Sequence, residues 1–161
     1  MWLGCDTMTR EEAYYERIKL LCGDWDSYDG WLNYFLEKEK PLSDIVLTLV
    51  DCRDDIKEVE RALNLYCQEK PFDQESVYER LRLELLCQYE TCEITKDHLL
   101  GTMFKYSRKI PDCPFSSGCS ALSDYYELAE IGIVSMEKFD VILVQFLRDG
   151  GHVDLDSVWN S

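Results

Sequence analysis

The stretch SMEKFDVILVQFLRDGG, residues 135–151, carries the clearest structural signal in the chain. Ser135 is a natural N-cap, Glu137 places a carboxylate in the first turn, and Gly150 and Gly151 provide a stop. The apolar residues that recur between them at helical spacing are Phe139, Ile142, Leu143, Phe146 and Leu147. Because only a narrow polar stripe remains, the pattern predicts a core helix wrapped by other helices. At about 14 residues it falls short of the roughly 20 that cross a bilayer.

The same start and stop signals divide the rest of the chain into helices joined by short loops. Pro41 and Pro71 end two helical patterns, because proline cannot continue a helix. The apolar run 44–52 fits a short strand or a buried helix, and the serine before its first aspartate and the helices on both sides favour a helix. By contrast, the Pro-, Ser- and Gly-rich stretch 110–120 predicts a long irregular loop. The predicted helices begin after Thr9, at Trp31, after Ser43, after Asp54 or Asp55, at Asp73 or Gln74, after Thr95, at Ser120 or Ser123, and after Ser135.

About seven or eight helices with short connections define an all-α domain. The helix pairs share no consensus sequence, so we expect an irregular bundle, with a short helical-repeat arrangement as the alternative. The length suits a single domain over residues 1–161, in which residues 1–8 form a loosely ordered N-terminal segment.

The charge of the chain restricts its partners. It carries 32 Asp and Glu against 17 Lys and Arg, a formal net charge of −15, spread through both halves rather than gathered into a tail. Nucleic acid and anionic membranes attract cationic side chains, so neither is an expected partner. A basic protein is the natural complement, although solubility alone accounts for many acidic proteins. With no Gly-rich phosphate loop or metalloprotease motif, we expect no cofactor and no small-molecule ligand.

The eight cysteines favour reduced thiols over a disulfide framework. No basic and then apolar leader opens the sequence, so we expect a cytoplasmic protein. Cys87, Cys92 and His98 lack the tight pair spacing of zinc ligands, and no metal is predicted. Cys113 and Cys119 lie in the predicted loop, where a disulfide or a reactive thiol is an open alternative.

An acidic and aromatic segment between the first two predicted helices is a candidate partner-binding patch. Asp24, Asp26 and Asp29 would meet basic residues of a partner, while Trp25 and Tyr28 would anchor it. The acids resemble a calcium loop, but their spacing does not supply the ligand positions of an EF-hand. The alternative is a helix-joining loop whose two rings fold into the core.

Two pairs of adjacent tyrosines, Tyr14–Tyr15 and Tyr125–Tyr126, are the remaining clue. Neighbours on a helix diverge by about 100°, so we expect that both members of a pair are not fully buried. Tyrosine is favoured at interfaces, which makes Tyr125 and Tyr126 further candidates for partner binding. The alternative places each hydroxyl at the boundary of the core.

In overall pattern the chain resembles the small acidic helical immunity proteins of bacterial polymorphic-toxin systems. The resemblance lies in size, charge and helix content, and in features such as Trp31, the proline-flanked segment 111–114 and the late apolar helix. It implies a protein that blocks a cognate toxin, often a basic nuclease, by covering its active site or an adjacent surface. No family site residue is carried over.

Two other classes of function stay open. One is a helical adaptor or scaffold subunit with no inhibitory role, which an even dispersal of acids would favour. The other is an enzyme that uses scattered acids or the thiols of Cys113 and Cys119, which a deep pocket lined by them would favour. An inhibitor that mimics DNA is a variant of the binding hypothesis and would need acids spaced like phosphates.

Overall fold

A computed structural model describes residues 6–151 and 153. Over these residues the chain forms eight α-helices and no strand, which confirms the predicted all-α bundle of about eight helices. The contacts gather into two compact units, one up to Val77 and the other from Tyr78. The helices are α1 (Arg10–Leu21), α2 (Tyr28–Lys38), α3 (Asp44–Asp51), α4 (Ile56–Gln68), α5 (Gln74–Glu90), α6 (Lys96–Lys109), α7 (Pro114–Glu130) and α8 (Met136–Asp149).

Four of the eight predicted helix starts are confirmed by side-chain caps. Oxygens of Thr9, Asp55, Thr95 and Ser135 each accept a hydrogen bond from a backbone N–H in the first turn that follows. These caps satisfy donors that a helix leaves without an internal partner. The ambiguous run after Ser43 is a helix, as the sequence favoured.

In the first unit, α4 packs against both α1 and α3, and α3 packs against α2. Side chains from all four helices fill its core, including Ala13, Ile18, Leu32, Leu49, Val59 and Leu63, each at most 1 % exposed. Burial of aliphatic side chains on this scale is the main force that holds such short helices together.

A buried carboxylate fastens the start of the described chain to this unit. Glu39, 4 % exposed, accepts hydrogen bonds from the Met8 backbone N–H at 2.7 Å and from the Ser43 backbone N–H at 2.9 Å. The Tyr66 hydroxyl donates to the Met8 carbonyl at 3.1 Å. Met8, expected in a loosely ordered segment, is therefore held in place, and residues 1–5 of that segment lie outside the described residues.

In the second unit, α7 packs against α6 and α8. Three rings form a stack through its core: Tyr78 and Phe115 lie 5.9 Å apart at 18°, and Phe115 and Phe146 lie 6.1 Å apart at 6°. Gly118 on α7 is so close to this stack that an added Cβ would overlap the Phe146 ring. Glycine is therefore needed here for packing rather than for backbone freedom.

The predicted loop over 110–120 is wrong, because α7 begins at Pro114. Cys113 is its N-cap: the thiol accepts from the Ser116 backbone N–H, and the Ser116 hydroxyl accepts from the Cys113 N–H. Proline is well suited to the first helical position, where its missing N–H is not required. The Pro, Ser and Gly residues that suggested a loop thus build a helix start and a close helix contact.

The late apolar helix is less enclosed than its sequence predicts. Phe139, Leu143, Phe146 and Leu147 are buried, at most 3 % exposed, whereas Val141 is 59 % exposed. Neighbouring helices therefore cover one side of α8 and leave apolar surface on another.

The four helices α5 to α8 form two hairpins of matching dimensions. Helices α5 and α7 have 17 residues each, and α6 and α8 have 14 each. Corresponding residues are 40 positions apart, as Lys96 and Met136 at the starts of α6 and α8 show. We call α5–α6 the first hairpin and α7–α8 the second hairpin. The match concerns helix length and spacing, and the short helical-repeat arrangement named as the alternative in the sequence analysis stays a prediction.

The turns of the two hairpins are built by the same hydrogen bonds. Glu93 N–H donates to the Gln88 carbonyl at 2.9 Å, and Ile133 N–H donates to the Leu128 carbonyl at 2.9 Å. In each turn the preceding residue has a positive φ, 60° at Cys92 and 77° at Gly132. This is a Schellman closure, which satisfies carbonyls at the helix end.

Candidate protein-binding surface

The acidic segment between α1 and α2 is exposed at its carboxylates. Asp24 and Asp26 lie in the loop and Asp29 in the first turn of α2, and all three are exposed. Lys19 forms an ion pair with Asp24 at 3.4 Å. The three aspartates are therefore exposed to solvent, with Asp24 and Asp29 each taking part in an ion pair, and their role in binding a partner stays a prediction.

The aromatic half of that prediction fails at Tyr28. Helix α2 begins at Tyr28, three residues before the predicted start at Trp31, and Tyr28 is only 3 % exposed. Its ring contacts Trp25 at 5.6 Å and Trp31 at 6.0 Å between centroids. Burial raises the pKa of the Tyr28 hydroxyl well above its usual value, so the side chain is a neutral core residue. Trp25 is half-buried beside it.

A second acidic loop lies next to the first, which the sequence analysis did not foresee. Arg53, in the α3–α4 loop, contacts Asp29 at 2.9 Å through Nε and Asn33 at 2.9 Å through Nη2. These bonds hold the α3–α4 loop against the start of α2. The contact joins residues 24 positions apart in sequence, so no local pattern reveals it.

We call the exposed carboxylates of these two loops and of the adjoining helix ends the acidic end. Its members are Asp24, Asp26, Asp29, Asp51, Asp54 and Asp55, all exposed. Asp55 also caps α4, where its carboxylate accepts from the first-turn N–H groups. Several carboxylates at one end of a small unit create a local negative potential that long-range attraction can use.

The tyrosine pair on α7 does not form an exposed patch. Tyr125 is 1 % exposed and its ring lies 5.3 Å from that of Phe139, so it belongs to the core rather than to a partner site. Tyr126 is half-buried, and its hydroxyl donates to Asp97 Oδ1 at 2.6 Å. That hydrogen bond raises the pKa of Tyr126 and ties α7 to the first turn of α6.

The expectation for adjacent tyrosines holds on α7 and is wrong on α1. Tyr14 and Tyr15 are both 5 % exposed. The Tyr14 ring packs 5.2 Å from Phe72, while Lys19 lies over the Tyr15 ring at 5.3 Å. Phe72 contacts one ring and Lys19 contacts the other, so both rings are buried although the two side chains point in different directions.

The thiols considered for chemistry are placed unfavourably for it. Cys119 lies within α7 and is fully buried, which raises the pKa of its thiol well above the usual range. Cys113 uses its sulfur as the helix cap. A nucleophilic thiol requires a lowered pKa instead, so that an accessible thiolate forms. Among the residues that the structure describes, no group of three or more His, Cys, Asp or Glu side chains is arranged to hold a metal ion.

An open groove lies between α3 and α4 in the first unit. It has a volume of about 380 Å³. Ile45, Ala62 and Leu65 give it an apolar floor, and Asp44 and Glu69 also line it. Glu69 is already paired with Arg10 at 3.0 Å. The groove does not contain Cys113 or Cys119, so it is not the thiol-lined pocket that an enzyme built on them would need.

Within residues 6–151 and 153, no helix combines the length and apolar character needed to span a membrane. Comparisons of the chain with protein-family models, with characterised proteins and with solved structures find no match. The geometry of the surface is therefore the basis for a functional assignment.

Proposed function

We propose that this protein is a protein-binding module that neutralises a basic partner through its acidic end. The observation that carries this proposal is the Arg53 contact with Asp29 and Asn33, which holds two acidic loops together in the first unit. The contact brings the exposed carboxylates at the start of α2 next to those of the α3–α4 loop, which supports a binding role for this part of the first unit.

The acidic end would act mainly on the rate of encounter. A negative surface steers a cationic protein toward a productive orientation, and this attraction weakens as salt screens it. Trp25, half-buried beside the aspartates, offers aromatic area that a docked partner would cover. Aromatic contact of this kind slows dissociation. The carboxylates would therefore raise the association rate constant, and Trp25 would lower the dissociation rate constant.

The narrower form of the proposal is an immunity protein that inhibits a cognate bacterial toxin, such as a basic nuclease, in the cytoplasm. Its support is the resemblance in size, charge and helix content together with the exposed acidic end. Inhibition would follow from covering the active site or an adjacent surface of the toxin. The proposed mechanism needs no cofactor and no catalytic residue in this chain.

A helical adaptor is the second candidate, and the two matching hairpins favour it. Stacked helical hairpins present extended surfaces that suit simultaneous contact with other proteins. An adaptor would bind its partner without abolishing the partner's activity, which separates the two candidates in an activity assay of the captured protein.

The test is affinity capture from the native organism's lysate at low and at high salt, with two charge-matched variants. One is Asp24→Asn, Asp26→Asn and Asp29→Asn together. The control removes the same charge at three exposed acids elsewhere, Glu75→Gln, Glu79→Gln and Asp124→Asn. We expect wild type and the control to retain one basic protein at low salt and the acidic-end variant to lose it. Equal retention by all three would remove the acidic end from the interface.

A further inference from the structure

The second hairpin exposes an unusual amount of aliphatic surface at its turn. Ile131, Ile133 and Val141 are 69 %, 56 % and 59 % exposed, the highest values among large apolar side chains in the part of the chain that the structure describes. Ile131 and Ile133 flank Gly132 in the turn, and Val141 follows on the second turn of α8. Scattered single apolar residues are ordinary on protein surfaces, but a concentration at one turn marks an interaction site.

The first hairpin shows that the fold does not require these side chains. Its residues at the same three positions, 40 places earlier, are Thr91, Glu93 and Gly101, and all three are exposed. Both turns have the same hydrogen bonds and the same positive φ at the central residue. The aliphatic residues are therefore a property of the second hairpin's surface and not of its backbone.

Acidic side chains predominate around this turn. Glu127 lies one helical turn before Ile131, Glu130 precedes it directly, and Glu137 lies one turn before Val141; all three glutamates are exposed. Residues three or four apart on a helix share a face, so Glu127, Glu137 and Lys138 border the aliphatic side chains. With Glu130, the glutamates outnumber the lysine three to one. We call Ile131, Ile133 and Val141 with these three glutamates the α7–α8 turn surface.

We propose that the α7–α8 turn surface is a docking site for a cationic segment of a partner protein, which covers the three aliphatic side chains with its own apolar residues. Charge complementarity selects this occupant. A second copy of the chain would bring the same glutamates into contact, and residues 152–161 contain two aspartates but no Lys or Arg. This inference rests on the proposed function, because it assumes the same basic partner. It adds a second contact, which lies in the second unit.

The probe is a helical peptide of leucine and lysine, with a control peptide in which serine replaces every leucine. Methyl NMR of the wild-type isoleucines reports where the peptide binds, because Ile131 and Ile133 belong to the α7–α8 turn surface and Ile56 follows the acidic end directly. We expect saturable shifts at Ile131 and Ile133 with the leucine peptide and much weaker binding of the serine peptide. Shifts at Ile56 alone would overturn the inference and leave the acidic end as the binding surface.

The matched variant transfers residues from the first hairpin: Ile131→Thr with Ile133→Glu. We expect about ten-fold weaker peptide binding by fluorescence anisotropy, equivalent to about 1.4 kcal/mol, even though the variant gains a negative charge. Leu83→Ser, at a 42 % exposed position on α5, is the control and should bind as wild type does. Equal peptide binding by the transfer variant and wild type would overturn the proposal. Shifts at Ile131 that depend on protein concentration in the absence of peptide would also overturn it and would identify a second copy of the chain as the occupant. Loss of the lysate partner in the acidic-end variant, with normal peptide binding at Ile131, would leave both proposals standing.

Discussion

The two hairpins have the same helix lengths and the same turn hydrogen bonds but differ in the side chains that they expose to solvent. Leu99 and Phe139 are buried at equivalent positions, as are Met103 and Leu143. At exposed positions the first hairpin has Glu93 where the second has Ile133. The comparison indicates that buried positions maintain the hairpin while the exposed turn is free to acquire a binding role.

The largest expected difference between the hairpins concerns their helical glycines. Gly118→Ala on α7 should destabilise the protein by about 1–3 kcal/mol, because the new methyl group would overlap the Phe146 ring in a packed core. Gly101→Ala on α6 meets no atom within 4 Å and should stabilise by about 0.5–1 kcal/mol through helix propensity. Urea unfolding of the two variants measures both effects. Equal changes would mean that the ring stack leaves room at Gly118.

The left-handed turn residues provide the next comparison. Cys92 at φ 60° carries a side chain where Gly132 at φ 77° does not. Cys92→Gly should therefore stabilise the first turn, and Gly132→Ala should destabilise the second, each by about 1 kcal/mol. Thermal unfolding at a fixed reducing potential checks both signs, with Gly101→Ala as the helical control. A destabilised Cys92→Gly variant would show that the Cys92 side chain has a structural role of its own.

The smallest expected effect concerns the bond from Tyr126 to Asp97, which has no counterpart at Leu86 in the first hairpin. Tyr126→Phe should lower the free energy of unfolding by less than about 1 kcal/mol near neutral pH, since the pair is solvent-exposed. The folded state raises the pKa of this phenol, so its stabilising contribution is present below the ordinary tyrosine pKa of about 10 and is lost as pH rises through the raised value. Urea unfolding of wild type and variant at neutral and at strongly alkaline pH tests this pH dependence. A difference in the free energy of unfolding that grows as the pH rises would contradict it.

Local signals in the sequence predicted most of the helices. Caps at Thr9, Thr95 and Ser135 act within one turn, so their chemistry is visible in a short window of sequence. The start of α7 was missed because Cys113 is an uncommon cap and because Gly118 is explained only by the distant Phe146 ring.

The candidate site was only partly predictable, for the same physical reason. The aspartates of the α1–α2 loop were found because charge and exposure go together. The contribution of the α3–α4 loop depends on the tertiary contact between Arg53 and Asp29, and the burial of Tyr28 depends on where α2 begins. The likeness of the two hairpins is not visible in residue identity, because it consists of helix length, turn geometry and the burial pattern of α6 and α8; α5 and α7 differ, with exposed Glu79 corresponding to buried Cys119.

The central claim is that the acidic end attracts a basic protein, and salt dependence tests it most directly. Stopped-flow association of the captured protein should be measured against ionic strength for wild type, the Asp24, Asp26 and Asp29 variant, and the Glu75, Glu79 and Asp124 control. We predict that the acidic-end variant associates about ten-fold more slowly at low salt and with a shallower salt dependence, while the control stays close to wild type. Identical rates and slopes for the acidic-end variant and wild type would contradict the claim.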